Sequence, residues 1–241
     1  MQVVLLRVGI DTGSGGIHGP LFKNGSFEYV PISDGFKGCG VSDQTYGNTR
    51  CRYGKRMLLY YFPERLREKC RDMPIHDDPE FKTFTYGDPT APKRGLRKLK
   101  KGDRLIFYAG LVGSDFRRAA ALYIIGYFEV EKAGLAAEFS KHELHRDFRK
   151  NFHVRHSVVF ANQKDRLMLV KGSNRSRLLR KAKRISVVGS DKNGRSIHVL
   201  SPKMQKVFGD FDGHISIQRS PPRWVDERFV TKAAAFVTSL R

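Results

Sequence analysis

Apolar positions come in short continuous runs along the chain, separated by glycine-rich or strongly charged text. "QVVLLRVGI" is β-branched and unbroken, which predicts a first strand, and Gly9, Gly13, Gly15, Gly16 and Gly19 break the chain directly after it. In "LFKNGSFEYVPI" the Asn24-Gly25 pair stands between two apolar stretches, the sequence of a tight hairpin turn. Residues 33–56 are polar and read as one long loop. "KRMLLYYFPERLREKC" reads as a helical patch restarted at Pro63. "RLIFYAGL", entered through a Lys101-Gly102-Asp103 turn, and "ALYIIGYFEVEKA" are two further strands. Residues 133–151 read as helical, and "DRLMLVKG" as a strand. In "SNRSRLLRKAKRIS" the 3.6-residue period puts Leu178, Leu179, Ala182 and Ile185 on one face and Arg177, Arg180, Lys181 and Arg184 on the other. That pattern predicts a basic amphipathic helix with Ser or Asn at its N-cap.

Strands and helices mixed without a regular βαβ alternation predict an α+β protein: a mixed sheet, or a half-open β-barrel of the PUA or EVE kind, flanked by helices. No internal repeat or low-complexity linker divides residues 1–241. The chain therefore reads as a single globular unit, of one lobe or two. A sub-boundary near residue 95 separates a glycine-rich, acidic half from a basic one.

Charge changes the picture most. Lys and Arg number 45 against 24 acids, a net +21 that no fold requires and that self-repulsion makes costly. Lys141 to Arg184 alone carries fourteen basic residues against Glu143, Asp147 and Asp165, about half of the surplus in under a fifth of the length. The partner this predicts is a polyanion, nucleic acid, with DNA ahead of RNA. No long basic amphipathic helix, lipidation signal or run of about 18 apolar residues points to a bilayer. The apolar N-terminal run is short and interrupted by Arg7, unlike a signal peptide. Three cysteines, Cys39, Cys51 and Cys70, with no CxxC pair, fit a reducing cytoplasm and not a zinc knuckle.

Candidate chemistry collects in four places. The glycine-rich opening lets backbone approach a ligand closely, with Gly13, Gly15 and Gly16 shaping the turn; Asp11 at the strand end is the candidate catalytic carboxylate, and His18 assists. The sequence there is neither a P-loop nor a dinucleotide fingerprint. Five of the 24 acids fall between Asp77 and Asp103, and "HDDPEF" with "YGD" gathers His76, Asp77, Asp78, Glu80, Tyr86 and Asp88. Asp78 is a second candidate acid, and Phe81, Tyr86 and Tyr108 are candidates to line a base pocket. The same acids could pair with neighbouring arginines or hold Mg²⁺, but no nuclease motif accompanies them, and no metal or cofactor is predicted. His142 and His145 in "HELH" are three apart, one short of the zincin spacing, and read as a solvated helix face. Ser173, Asn174, Arg175, Arg177, Arg180, Lys181, Arg184 and, further on, Arg223 are the candidate phosphate contacts. Trp224, the single tryptophan, reads as core or as a stacking platform.

Five blocks, "LLRVGIDTGSGGIHGPLF", "HDDPEF" with "TFTYGDP", "KGDRLIFYAGL", "VKGSNRSRLL" and "PRWV", occur in order from Leu5 to Val225. In these blocks the chain resembles the nucleotide-modification-associated domain 3 family. The resemblance implies association with systems of phages and bacteria that make, or act on, modified DNA bases. A role in defence against phages with modified DNA fits that association.

Three function classes are compatible with these features. A metal-independent DNA glycosylase needs a basic surface, a pocket for a flipped base and one carboxylate beside the sugar. A non-catalytic reader of modified bases needs the surface and the pocket only. A metal-dependent nuclease would use Asp77, Asp78, Glu80 and Asp88. The first is the leading expectation.

Overall fold

The computed structural model describes residues 1–10, 16–33, 44–53, 55–218 and 221–240. Asp11, Gly13, Gly15 and Cys39 lie outside the described residues. Strand β1 is Val3–Arg7, followed by β2 (Gly19–Leu21) and β3 (Ile32–Ser33). A 3-10 turn at Leu58–Tyr61 and helix α1 (Glu64–Cys70) sit on either side of Pro63, as the apolar pattern predicts. After β4 (Ile75–His76) and β5 (Thr85–Asp88), a 3-10 segment, Ala91–Lys98, leads to β6 (Arg104–Gly113) and the 15-residue β7 (Ala121–Leu135). Helices α2 (Lys141–Phe148), α3 (Phe152–Arg155) and α4 (Ser157–Gln163) precede β8 (Met168–Gly172). β9 (Arg177–Arg184), β10 (Ser186–Ser190), β11 (Ser196–Leu200), α5 (Pro202–Phe208), β12 (Arg223–Trp224) and α6 (Glu227–Ser239) complete the chain.

Eight strands form one mixed sheet in the order β12-β1-β6-β7-β8-β5, with β2 extending along β6 and β9 along β7. β1 and β2 run parallel to β6; β7 is antiparallel to β6, β8 and β9. Among the described residues the sheet does not close into a barrel, so the mixed-sheet form of the expectation holds. All five residues of β1 are buried, as in a strand covered on both faces. Helix α6 packs against it through Val230, Ala233, Ala234 and Val237, one stripe at helical spacing. The 3-10 segment Ala91–Lys98 packs against β7 and β8, and its Leu96 belongs to the main core. A smaller cluster joins Ile10, Tyr46, Leu58, Phe62 and Ile75. Among the described residues, no helix is long and apolar enough to cross a membrane.

β7 explains much of the topology. Its ladder is irregular between Val130 and Lys132, where it pairs β8, and between Ile124 and Gly126, where it pairs β9. Such irregularities bend a strand, so one long strand serves two neighbours in succession. At Gly126 the chains close tightly: a Cβ would lie 2.7 Å from both the Arg177 carbonyl oxygen and the Phe81 ring. Gly126→Ala is therefore expected to cost about 1–3 kcal/mol, the range for overpacking, read as a lower midpoint in urea unfolding.

Two elements differ from the sequence pattern. Residues 133–135 complete β7 because β8 pairs there, so the helical text begins later, with a 3-10 turn at Ala136–Glu138 and α2 from Lys141. The basic segment 177–184 is strand β9, not a helix. A helix would stack Arg177 on Lys181 and Arg180 on Arg184, like charges at i,i+4 that oppose it. The strand instead pairs with β7, Tyr127 to Arg177 and Tyr123 to Arg184, satisfying backbone groups that a helix would leave open on β7.

Candidate functional site

The acids of "HDDPEF" do not share one site. Successive residues of extended chain point to opposite sides, and the two aspartates following β4 face different cavities: Asp77 lines one of about 620 Å³, Asp78 one of about 290 Å³. Glu80 joins Asp77, whereas Tyr86 and Asp88 join Asp78.

The larger cavity has an aromatic wall. Tyr29 meets Phe81 edge to face at 5.9 Å, and Phe81 rests on Phe107 and Phe128 at 5.6 Å each. Phe84 completes the wall. Arg50, Arg52, Lys82 and Arg177 bring cationic side chains to the same space. Of its three acids, two are engaged in structure. Glu28 accepts the backbone N–H groups of Arg52 (2.8 Å) and Tyr53 (2.6 Å), and burial raises its pKa. Glu80 accepts from the backbone N–H of Lys82 and from both the N–H and hydroxyl of Thr83, which closes the Glu80–Thr83 turn. Asp77 is different: no described residue donates a hydrogen bond to it. Burial first, then Glu80, pushes its carboxyl up to about 6, against the opposing charges of Arg155 and Lys82. Tyr29 donates to the Asp78 carbonyl at 2.9 Å and pins this part of the backbone.

In the smaller cavity Asp78 is 8% exposed and meets two histidines. His76 comes from β4, and His153 from α3, whose N-cap Asn151 accepts the His153 N–H. The two Nε2 atoms are 3.1 Å apart and stand 3.9 Å (His76) and 3.6 Å (His153) from Asp78 Oδ2. That oxygen accepts the Gly87 N–H at 2.8 Å and lies 3.4 Å from the Asn151 amide; Oδ1 is buried without a hydrogen-bond partner. On the far side of its ring, His153 Nδ1 contacts Gln163 Oε1 at 2.7 Å. Gln163 Oε1 can only accept, so Nδ1 carries the proton and the Nε2 lone pair faces His76 and Asp78. His76 stacks on Phe152 with ring centroids 4.0 Å apart. Gly87 is required here, since a Cβ would lie 2.9 Å from His153 Cδ2 and Asn151 Oδ1. Burial raises the Asp78 pKa well above the carboxylate range, and burial, then His153, holds His76 well below the usual histidine value. Among the described residues, this trio is the one group of three or more His, Cys, Asp or Glu side chains able to hold a metal ion.

The other candidates fall elsewhere. His18 and the exposed Gly16 line a separate cavity beside Tyr60 and Tyr61. Tyr108 is fully buried and donates to the Ile217 carbonyl at 2.9 Å; its length and hydroxyl suit a core position with one polar partner. Ser173 is followed by strand β9 and not by a helix, so no helix N-terminus is formed there. The Ser173 N–H donates to the Glu129 carbonyl at 2.7 Å, and the Ser176 hydroxyl accepts the Glu129 N–H at 3.1 Å. Arg175 pairs with Glu129 at 2.5 Å, sharing that buried carboxylate with Arg104 at 2.6 Å. Asn174, Arg177, Arg180, Lys181 and Arg184 are exposed or half-buried, so charge remains available along β9. Arg223 donates to the Ser216 carbonyl at 2.8 Å, and Trp224 packs on the main core. His142 and His145 stand on the solvated side of α2.

Sequence reasoning named Asp78 and His76 but passed over His153 and Gln163. "NFHVRH" carries no ligand spacing of its own, and His153 joins Asp78 only through the α3–β5 packing.

Comparison with curated proteins finds no match, and none of the solved structures matches either. The family models do match: residues 2–239 fit nucleotide modification associated domain 3, and the chain belongs to that family.

Proposed function

We propose that the chain is a DNA glycosylase: it binds DNA along β9, takes one modified base into the Phe81 cavity, and hydrolyses its N-glycosyl bond with the help of Asp77. The observation that carries this reading is that Arg177 and Leu178 of the basic strand line the same cavity as Tyr29, Phe81, Phe84 and Asp77. Phosphate-binding charge, aromatic faces for a flipped base, and a carboxylate to which no described residue donates thus share one space. In the reaction the C1′–N bond breaks with its electron pair going to the base. Asp77 stabilises the cationic sugar and accepts a proton from the attacking water, which leaves a hydroxyl on C1′; that proton passes on to the departing base nitrogen, so the base leaves neutral and the carboxylate is restored. No metal takes part in these steps.

The test uses phage DNA carrying hypermodified bases, with unmodified DNA as control, incubated with the protein in EDTA and assayed by mass spectrometry for free base and abasic sites. Free modified base from the phage DNA alone is the expected result. Tight binding without release would make the protein a reader of modified bases. Strand cleavage that appears only when Mg²⁺ replaces the EDTA would make it a nuclease.

A further inference from the structure

We infer that His76, Asp78 and His153 bind a divalent transition-metal ion of the zinc class, with the fourth coordination position open to the 290 Å³ cavity. This inference does not depend on the Phe81 cavity or on base excision.

The ligand set argues for the ion. Two imidazoles and one carboxylate form a borderline donor set suited to Zn²⁺ and its neighbours, whereas Mg²⁺ and Ca²⁺ take oxygen ligands. Zn–N and Zn–O bonds of about 2.0–2.2 Å in a tetrahedron put ligand atoms about 3.3 Å apart. The observed separations are 3.1, 3.6 and 3.9 Å, so movements of a few tenths of an ångström complete the site.

The surroundings argue the same way. A metal-binding histidine characteristically donates its other N–H to a fixed acceptor, which sets the tautomer and aims the ring. His153 does this with Gln163, itself 6% exposed. Asp78 Oδ1 is buried without a partner, so protein donors satisfy only one oxygen of a carboxylate that faces two imidazoles. Gly87 and Asn151 hold Oδ2, the carboxylate oxygen that meets both imidazoles, and Phe152 supports the His76 ring. Three protein ligands with one side open is the arrangement of a reactive ion, which keeps a water or substrate atom in the fourth position, and not of a closed structural one.

The test is a zinc titration of chelator-stripped, full-length protein by calorimetry, repeated with Co²⁺ for its visible absorption. One ion per chain is expected. His76→Ala and His153→Ala should weaken binding at least about 100-fold, and Gln163→Ala about 10–100-fold, the range for an orienting partner. Asp88→Asn lines the same cavity without belonging to the trio and should bind as the parent does, as should His142→Ala on exposed α2. His153 is buried, so His76→Ala, whose side chain is 17% exposed, carries the test should His153→Ala fail to fold; its metal-free melting temperature reports folding. A parent protein that takes up no stoichiometric zinc or cobalt overturns the assignment. Binding unchanged in His76→Ala, or lost in His142→Ala, overturns it equally.

Discussion

Raising monovalent salt from about 50 to about 200 mM is expected to weaken DNA binding by about 10³-fold. Each phosphate neutralised by Lys or Arg releases counterions, contributing about −0.9 to the slope of log affinity against log salt, and six contacts over a fourfold salt range yield that factor. The chain has the charge to make them. Its excess is +21, and β9 alone carries Arg177, Arg180, Lys181 and Arg184 at the surface. Arg175, although largely exposed, is tied to Glu129, so its removal should change the slope less than removal of a β9 cation does. The triple variant Arg180→Ala, Lys181→Ala, Arg184→Ala is expected to flatten the slope by about 2–3. Fluorescence anisotropy on a labelled duplex at four salt concentrations measures both. An affinity indifferent to salt would remove the ground for a nucleic-acid partner.

Asp77→Asn is expected to slow base release by about 10²–10⁴-fold, the range for removing a group that acts on transition-state charge or takes the proton, with DNA affinity nearly unchanged. Asparagine keeps the shape of the cavity and deletes the charge that faces the developing cation at C1′. Glu80→Gln provides the contrast. Glu80 closes a turn by accepting from Lys82 and Thr83, so its loss should lower stability more than it changes the chemistry. Single-turnover release of free base, measured beside anisotropy, separates the two outcomes. The companion variant Asp11→Asn tests the carboxylate of the glycine-rich opening. Full release by Asp77→Asn together with loss in Asp11→Asn would move the catalytic role to that segment.

Much of the sheet was legible in local text. The runs at 104–111, 121–132 and 168–172 are strands because their apolar residues are buried, and burial depends mainly on each residue's own character. The turns were legible for the same local reason: Gly25 and Gly102 adopt φ of +86° and +92°, which glycine permits without cost to a Cβ. The charge excess and the acids of "HDDPEF" were also plain in the residues alone, and so was the resemblance to the family.

Tertiary structure decided the rest. Segment 177–184 has helical spacing, but pairing with β7, some fifty residues earlier in sequence, outweighs a local preference worth only tenths of a kcal/mol per residue. Asp77 and Asp78 look equivalent in sequence, yet the chain direction after β4 turns one towards Phe81 and the other towards His76. Tyr108 looks like any tyrosine available to a ligand until the Ile217 carbonyl arrives from more than a hundred residues away. His153 is as remote from Asp78 along the chain as it is close in space, and no spacing rule spans that gap. Composition and short-range pattern determine which segments are buried and what charge the surface carries. Which side chains meet in a cavity depends on long-range strand pairing and helix packing, whose contacts no local window of sequence contains.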